Sequence, residues 1–127
     1  MPVTDPSRMN EAFAQAFNRR DVGELLSLYE PAAILRVDGS GRDLVGSKAI
    51  SGELARLIEA PGTMTSRNNF CVVHDDLALL RADWSIAADD GSIAASGSTA
   101  ELIRRQPDGT WLYVIDHAAG ADLPRVA

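Results

Sequence analysis

Residues 76–89 read Asp-Leu-Ala-Leu-Leu-Arg-Ala-Asp-Trp-Ser-Ile-Ala-Ala-Asp, and the way this stretch faces decides how the rest of the chain is read. At the two-residue period of a β-strand, one side is Ala78, Leu80, Ala82, Trp84, Ile86 and Ala88, wholly apolar. The other side is Leu77, Leu79, Arg81, Asp83, Ser85 and Ala87, with a cation and an anion at its middle. A half-covered strand normally turns its apolar side to the core and its charges to water. The opposite orientation puts Arg81 and Asp83 in a cavity and leaves the Trp84 side for another subunit to cover.

Outward from this stretch the period stays at two. Residues 63–73, 77–88, 92–105 and 110–118 read as long strands, joined by the tight polar links His74-Asp75-Asp76, Asp89-Asp90-Gly91 and Gln106-Pro107-Asp108-Gly109. Ahead of them the period is helical. Asp5 and Pro6 suit a helix start, and Met9, Ala12, Phe13, Ala16 and Phe17 form one apolar stripe. Asp21 caps a second helix with Val22, Leu25, Leu26 and Tyr29 on one face, ended by Pro31. Residues 32–37 read as a short strand and Asp38 opens a turn. Ser47 begins a third helix carrying Ile50, Leu54, Leu57 and Ile58, with Pro61-Gly62 as its stop. Helices followed by a meander specify an α+β fold: a cone-shaped, curved antiparallel sheet wrapped around three N-terminal helices. The chain is one domain, residues 1–127, with its core at about 9–120.

Composition narrows the function. The chain has 127 residues, 46% hydrophobic and 24% charged, with a net charge of −6. An acidic balance excludes the basic footprint that nucleic acid or an anionic membrane requires. Cys71 is the single cysteine, which leaves no intrachain disulfide and no cysteine-based zinc site. His74 and His117 are the only histidines, so no His-rich metal site is expected, and no metal or cofactor is called for. Residues 1–9 lack an apolar stretch of signal-peptide length, so the expected location is cytoplasmic. Gly39-Ser40-Gly41 lacks the lysine and spacing of a phosphate loop.

The order of elements, Gly109-Thr110-Trp111 opening the last strand, and Asp116-His117 near its end together resemble the nuclear transport factor 2-like superfamily. Within it the chain looks most like the SnoaL-like group, related to polyketide cyclases, ketosteroid isomerases and limonene-epoxide hydrolases. The resemblance implies a cystatin-like cone enclosing a hydrophobic pocket. Arg81-Ala82-Asp83 ahead of Gly91, with Asp116 on the last strand, is similar to the Asp-Arg-Asp unit of limonene-epoxide hydrolases. It implies Asp116 and Asp83 as proton carriers and Arg81 as the group that orients them. Leu35 and Val37 stand where that family keeps polar groups for its water. Val37, or Asp38 if the alignment slips by one, falls where ketosteroid isomerases keep their base. The last strand is also similar to the association domain of calmodulin-dependent protein kinase II, which makes Arg81 a candidate for holding a carboxylate.

The functional expectation is therefore a cofactor-free acid/base enzyme (cyclase, isomerase or hydrolase) acting on a small apolar molecule. The expected catalytic residues are Asp116, Asp83 and Arg81, and the expected ligand contacts are Leu35, Val37, Tyr29, Asp38 and His117. The alternative is a non-catalytic domain for carboxylate binding or dimeric assembly. If the charged side of residues 76–89 looks inward, then Trp84, Leu80, Ile86, Trp111, Tyr113 and Ile115 look outward. So large an apolar patch calls for a homodimer through the outer sheet face.

Overall fold

The structure is a computed structural model that describes residues 2–37 and 41–123. A turn of 3₁₀-helix at Pro6–Arg8 leads into α1 (Met9–Asn18), then α2 (Val22–Leu26), β1 (Tyr29–Arg36), β2 (Asp43–Val45) and α3 (Ser47–Leu57). The remainder is β3 (Thr63–His74), β4 (Leu77–Ala87), β5 (Ile93–Ser98), β6 (Ala100–Arg105) and β7 (Trp111–His117). The expected α+β class holds. The strands form one sheet in the order β2-β1-β7-β6-β4-β3, with β5 added beside β4.

Local chemistry explains most boundaries. Asp5 accepts from the Ser7 N–H at 3.0 Å, so Asp5-Pro6 starts the 3₁₀ turn rather than α1 itself. Asp21 caps α2 through the Glu24 N–H at 3.0 Å. Helix α2 closes at Leu26, ahead of Pro31, which lies inside β1. There the register against β7 slips between Tyr29 and Ile34, a place where a missing N–H breaks no ladder. The β1–β7 pairing is parallel, so the sheet is mixed rather than antiparallel throughout. The stretch 92–105 is two strands instead of one. The chain turns at Thr99, whose N–H donates to the Ala82 carbonyl while its hydroxyl accepts from the Ala82 N–H.

The orientation of β4 is opposite to the one a charged cavity needs. Ala78, Leu80, Ala82 and Ile86 are buried under the helices, Leu80 with no exposed surface, whereas Leu79 is 52% exposed. Burying the wholly apolar side releases more free energy than burying the side with two charges, whose desolvation would cost several kcal/mol. Arg81 and Asp83 therefore stand on the outer face, 3.6 Å apart, with side chains 40% and 61% exposed.

A second reversal lies in β7. Its pairing with β6 runs Leu102 with Ile115 but Ile103 with Tyr113, so Val114 is an extra, bulged residue. The bulge breaks the alternation of the strand. Trp111 and Tyr113 turn inward before it, and Asp116 turns inward after it. Of the side chains expected to face a second subunit, only Ile115 is outside. Leu80, Ile86, Trp111 and Tyr113 are core, and Trp84 borders the cavity described next.

Candidate active site

The sheet curls over α1 and α3 and leaves a cavity of about 110 Å³ between them. Its walls are apolar and aromatic: Phe13 from α1, Leu54 and Leu57 from α3, Leu35 from β1, Val37 just after it, Met64 from β3 and Trp84 from β4. Trp84 is fixed by its indole N–H, which donates to the Ala118 carbonyl at 3.2 Å. Polar groups converge from Asn10, Tyr29, Ser66, Thr99, Glu101 and Asp116. A concave apolar wall with few directed polar groups is the usual form of a small-molecule site.

Two of those groups are carboxyls facing each other across the sheet. Glu101 of β6 is the registered partner of Asp116 of β7, and their exposures are 2% and 6%. Asp116 Oδ2 accepts a hydrogen bond of 2.5 Å from the Tyr29 hydroxyl. Among the described residues its other oxygen receives no hydrogen bond. Glu101 Oε2 accepts from Asn10 Nδ2 at 2.5 Å, and Oε1 lies 2.8 Å from the Thr99 hydroxyl. That hydroxyl can also turn toward the Ala82 carbonyl at 3.4 Å, so Glu101 keeps a partner whether ionised or protonated. Asn10 is held in turn by the Tyr113 hydroxyl at 3.0 Å and by the Asn68 side-chain amide at 3.3 Å. Asn68 also accepts from the Asn10 backbone N–H at 3.0 Å, satisfying a donor in the first turn of α1, which has no side-chain cap.

Burial sets the charge on this pair. It pushes Asp116 up to about 6, against the pull of the Tyr29 hydrogen bond. Glu101 rises further, to about 8, from burial and then from the negative charge of Asp116, with the Asn10 and Thr99 bonds opposing. Both carboxyls are therefore raised toward neutral pH, and they give up their protons as a linked pair rather than as two independent acids. Tyr29 and Tyr113 are raised well above the ordinary phenol range, chiefly by burial, and keep their protons.

Of the residues singled out from the sequence, Asp116, Tyr29, Leu35 and Val37 come together on the cavity wall. Arg81 and Asp83 do not, because β4 turns that side outward, so the Asp-Arg-Asp unit is not assembled. The carboxylate-holding alternative loses its residue in the cavity for the same reason. Arg81 reaches the Ser98 hydroxyl at 3.4 Å, and Asp83 accepts from Ser98 at 2.6 Å and from Asn69 at 3.1 Å. His117 follows Asp116 and so points to the opposite side of β7, beside Arg36. Asp38 lies outside the described residues. Glu101 and Asn10 escaped the sequence reading. Counting back from the Gln106–Gly109 turn sets Glu101 opposite Ile115, and only the bulge at Val114 moves Asp116 into that place. Among the described residues, no three of His, Cys, Asp and Glu are placed to hold a metal ion, and no helix is long and apolar enough to cross a membrane.

The profile of the SnoaL-like domain matches residues 10–117. No curated protein matches. Among solved structures, a calcium/calmodulin-dependent protein kinase type II association-domain candidate from Thiobacillus denitrificans superposes with a TM-score of 0.76 at 18% identity, covering 94% of this chain and 96% of its own. An NTF-2 like protein of unknown function from Shewanella oneidensis gives 0.72 at 15% identity, over 88% and 93% of the two chains. A ketosteroid isomerase-like protein from Erwinia carotovora gives 0.68 at 20% identity, over 88% and 90%. At such identities these likenesses bear on the fold alone.

Proposed function

The chain belongs to the SnoaL-like domain family, and on that premise we propose that it is a cofactor-free acid/base enzyme acting on a small, largely apolar molecule. One observation carries the reading: two buried carboxyls, Glu101 and Asp116, are registered cross-strand partners at the wall of an apolar cavity, and burial raises the pKa of both. Two carboxyls whose environments push them apart in acidity supply a base and an acid at the same pH.

Asp116 is the base. Its free oxygen takes a proton from a carbon next to a carbonyl, or from a water held against an epoxide carbon. Glu101 is the acid. Once Asp116 becomes neutral, one of the two causes that raise Glu101 is gone, and Glu101 releases its proton more readily to the oxygen that is developing negative charge. The Tyr29 hydroxyl orients Asp116 throughout, and Asn10 does the same for Glu101. The size of the cavity favours substrates of roughly six non-hydrogen atoms, since an enclosed space of about 150 Å³ accommodates benzene.

The test is exchange of the α-hydrogens of cyclopentanone in deuterated water, followed by NMR, with hydration of cyclopentene oxide in parallel. The native protein is expected to accelerate one of them, and Asp116→Asn to lower that rate about 10²–10⁴-fold. An Asp116→Asn protein that works at the native rate, or a native protein inert toward both probes, would end this reading.

A further inference from the structure

The cavity wall is charged in one sense only. Three acids border it, namely Glu53, Glu101 and Asp116, and no Lys, Arg or His does so among the described residues. Four aromatic rings, Phe13, Tyr29, Trp84 and Tyr113, complete the same wall. The whole chain carries a net charge of −6, which over long range favours the approach of a cation over that of an anion. A carboxylate ligand entering here would meet repulsion and, among the described residues, no compensating cation.

Glu53 differs from the other two acids. It sits on α3, away from the strand pair, and takes no part in the network of Asn10, Thr99 and Tyr113. Its side chain is only 19% exposed, and its ion-pair partner is Arg56 at 3.4 Å, itself 74% exposed. An exposed arginine at that distance neutralises little of a half-buried charge, because solvent screens it. The nine-tenths-buried Asp116 also lines the cavity, and among the described residues one of its oxygens receives no hydrogen bond. Sheltered negative charge beside aromatic faces is the environment that stabilises an organic cation.

We propose that the ligand of this cavity carries an ammonium group and that Glu53 is the residue that meets it, the rings lying against its carbon skeleton. This rests on the acid/base reading only in reserving Asp116 for proton transfer. It names the substrate class: a small amine, presenting its charge to α3 and its reacting atoms to β6 and β7.

The experiment compares three ligands of one shape, cyclopentylamine, cyclopentanol and cyclopentanecarboxylate, by calorimetry or NMR titration at low salt. The amine is expected to bind at least tenfold more tightly than the alcohol, and the carboxylate not measurably. Glu53→Gln should bring the amine-to-alcohol ratio close to one, Glu53→Asp should restore most of it, and Glu53→Lys should turn the preference toward the carboxylate. An alcohol that binds the native protein as tightly as the amine overturns the proposal, as does an amine preference that survives Glu53→Gln. Cyclopentanone exchange by the native protein is read separately. Lost charge preference with exchange intact sinks only this inference, and absent exchange with charge preference intact sinks only the acid/base reading.

Discussion

Asp116 and Glu101 show what a residue's neighbours do to its chemistry. As isolated side chains both are ordinary acids. Placed opposite each other under α1, both keep their protons to higher pH than a free carboxylic acid does, chiefly because they are buried. The pair also ties stability to pH, with a definite sign. Both groups titrate higher in the folded chain than in the unfolded one, so the folded chain binds more protons above the ordinary carboxylate range. The stabilisation is complete below that range and is lost as pH rises through about 6 and then about 8. Asp5, Asp43, Asp90 and Asp108 are held low by their hydrogen bonds and act in the opposite sense, but at more acid pH. Urea unfolding at pH 5, 7 and 9 should therefore show a fall on the order of 5 kcal/mol over that window. Glu101→Gln, which replaces the neutral acid with a neutral amide, should flatten most of it. An unchanged slope in that variant would mean that the pair does not govern the titration.

At the scale of the element, two places show why periodicity misled. Strand β4 presented a choice of faces that its own sequence stated correctly, apolar against charged, and the ordinary preference for burying the apolar side prevailed. Strand β7 could not be read in that way at all. Tyr113 and Asp116 have opposite parity, and both face inward because Val114 bulges between them. Nothing in the residue types of that strand announces the extra residue, which is set by its pairing with β6 and β1. The turn before β3 is more legible, and its requirement can be tested. Gly62 has φ +112, and a Cβ there would lie 2.5 Å from the Ala87 carbonyl oxygen. Gly62→Ala should lower stability by about 1–3 kcal/mol in thermal or urea unfolding, since both the backbone conformation and the close approach favour glycine. A neutral substitution would show that the close approach of the turn before β3 to the end of β4 relaxes freely.

For the whole molecule, the outer face of the sheet carries a row the sequence reading did not assemble. Val72, Leu79, Leu102, Ile115, Ile34 and Val45 are successive registered partners across β3, β4, β6, β7, β1 and β2. Val72, Leu79, Ile115 and Val45 are exposed, so the row forms an aliphatic band open to solvent. It is flanked by Arg81 with Asp83 on one side and by the Arg104–Glu30 pair on the other. A surface with both signs at its margins can meet its own copy about a two-fold axis without like-charge opposition. We therefore propose a second copy of this chain as its cover. The proposal takes over the homodimer expected from the sequence and gives its interface aliphatic residues in place of the indoles. Light scattering should give the mass of two chains for the native protein and of one for Leu79→Glu, a substitution at a position exposed within the single chain. Equal masses for the two proteins would remove the proposal.

The sequence by itself determined most of the helices and strands and the α+β class, because these follow from local periodicity and turn chemistry, while its resemblance to a known family supplied the small-pocket reading and the candidacy of Asp116, Leu35 and Val37. Only the tertiary structure decided which side of β4 is covered, that Glu101 rather than Asp83 partners Asp116, and which side chains form the outer band. The reason is physical. A strand's alternation tells which residues share a face but not which face is inside, and one bulged residue, stabilised by pairing with strands distant in sequence, reverses that alternation without leaving a mark in composition.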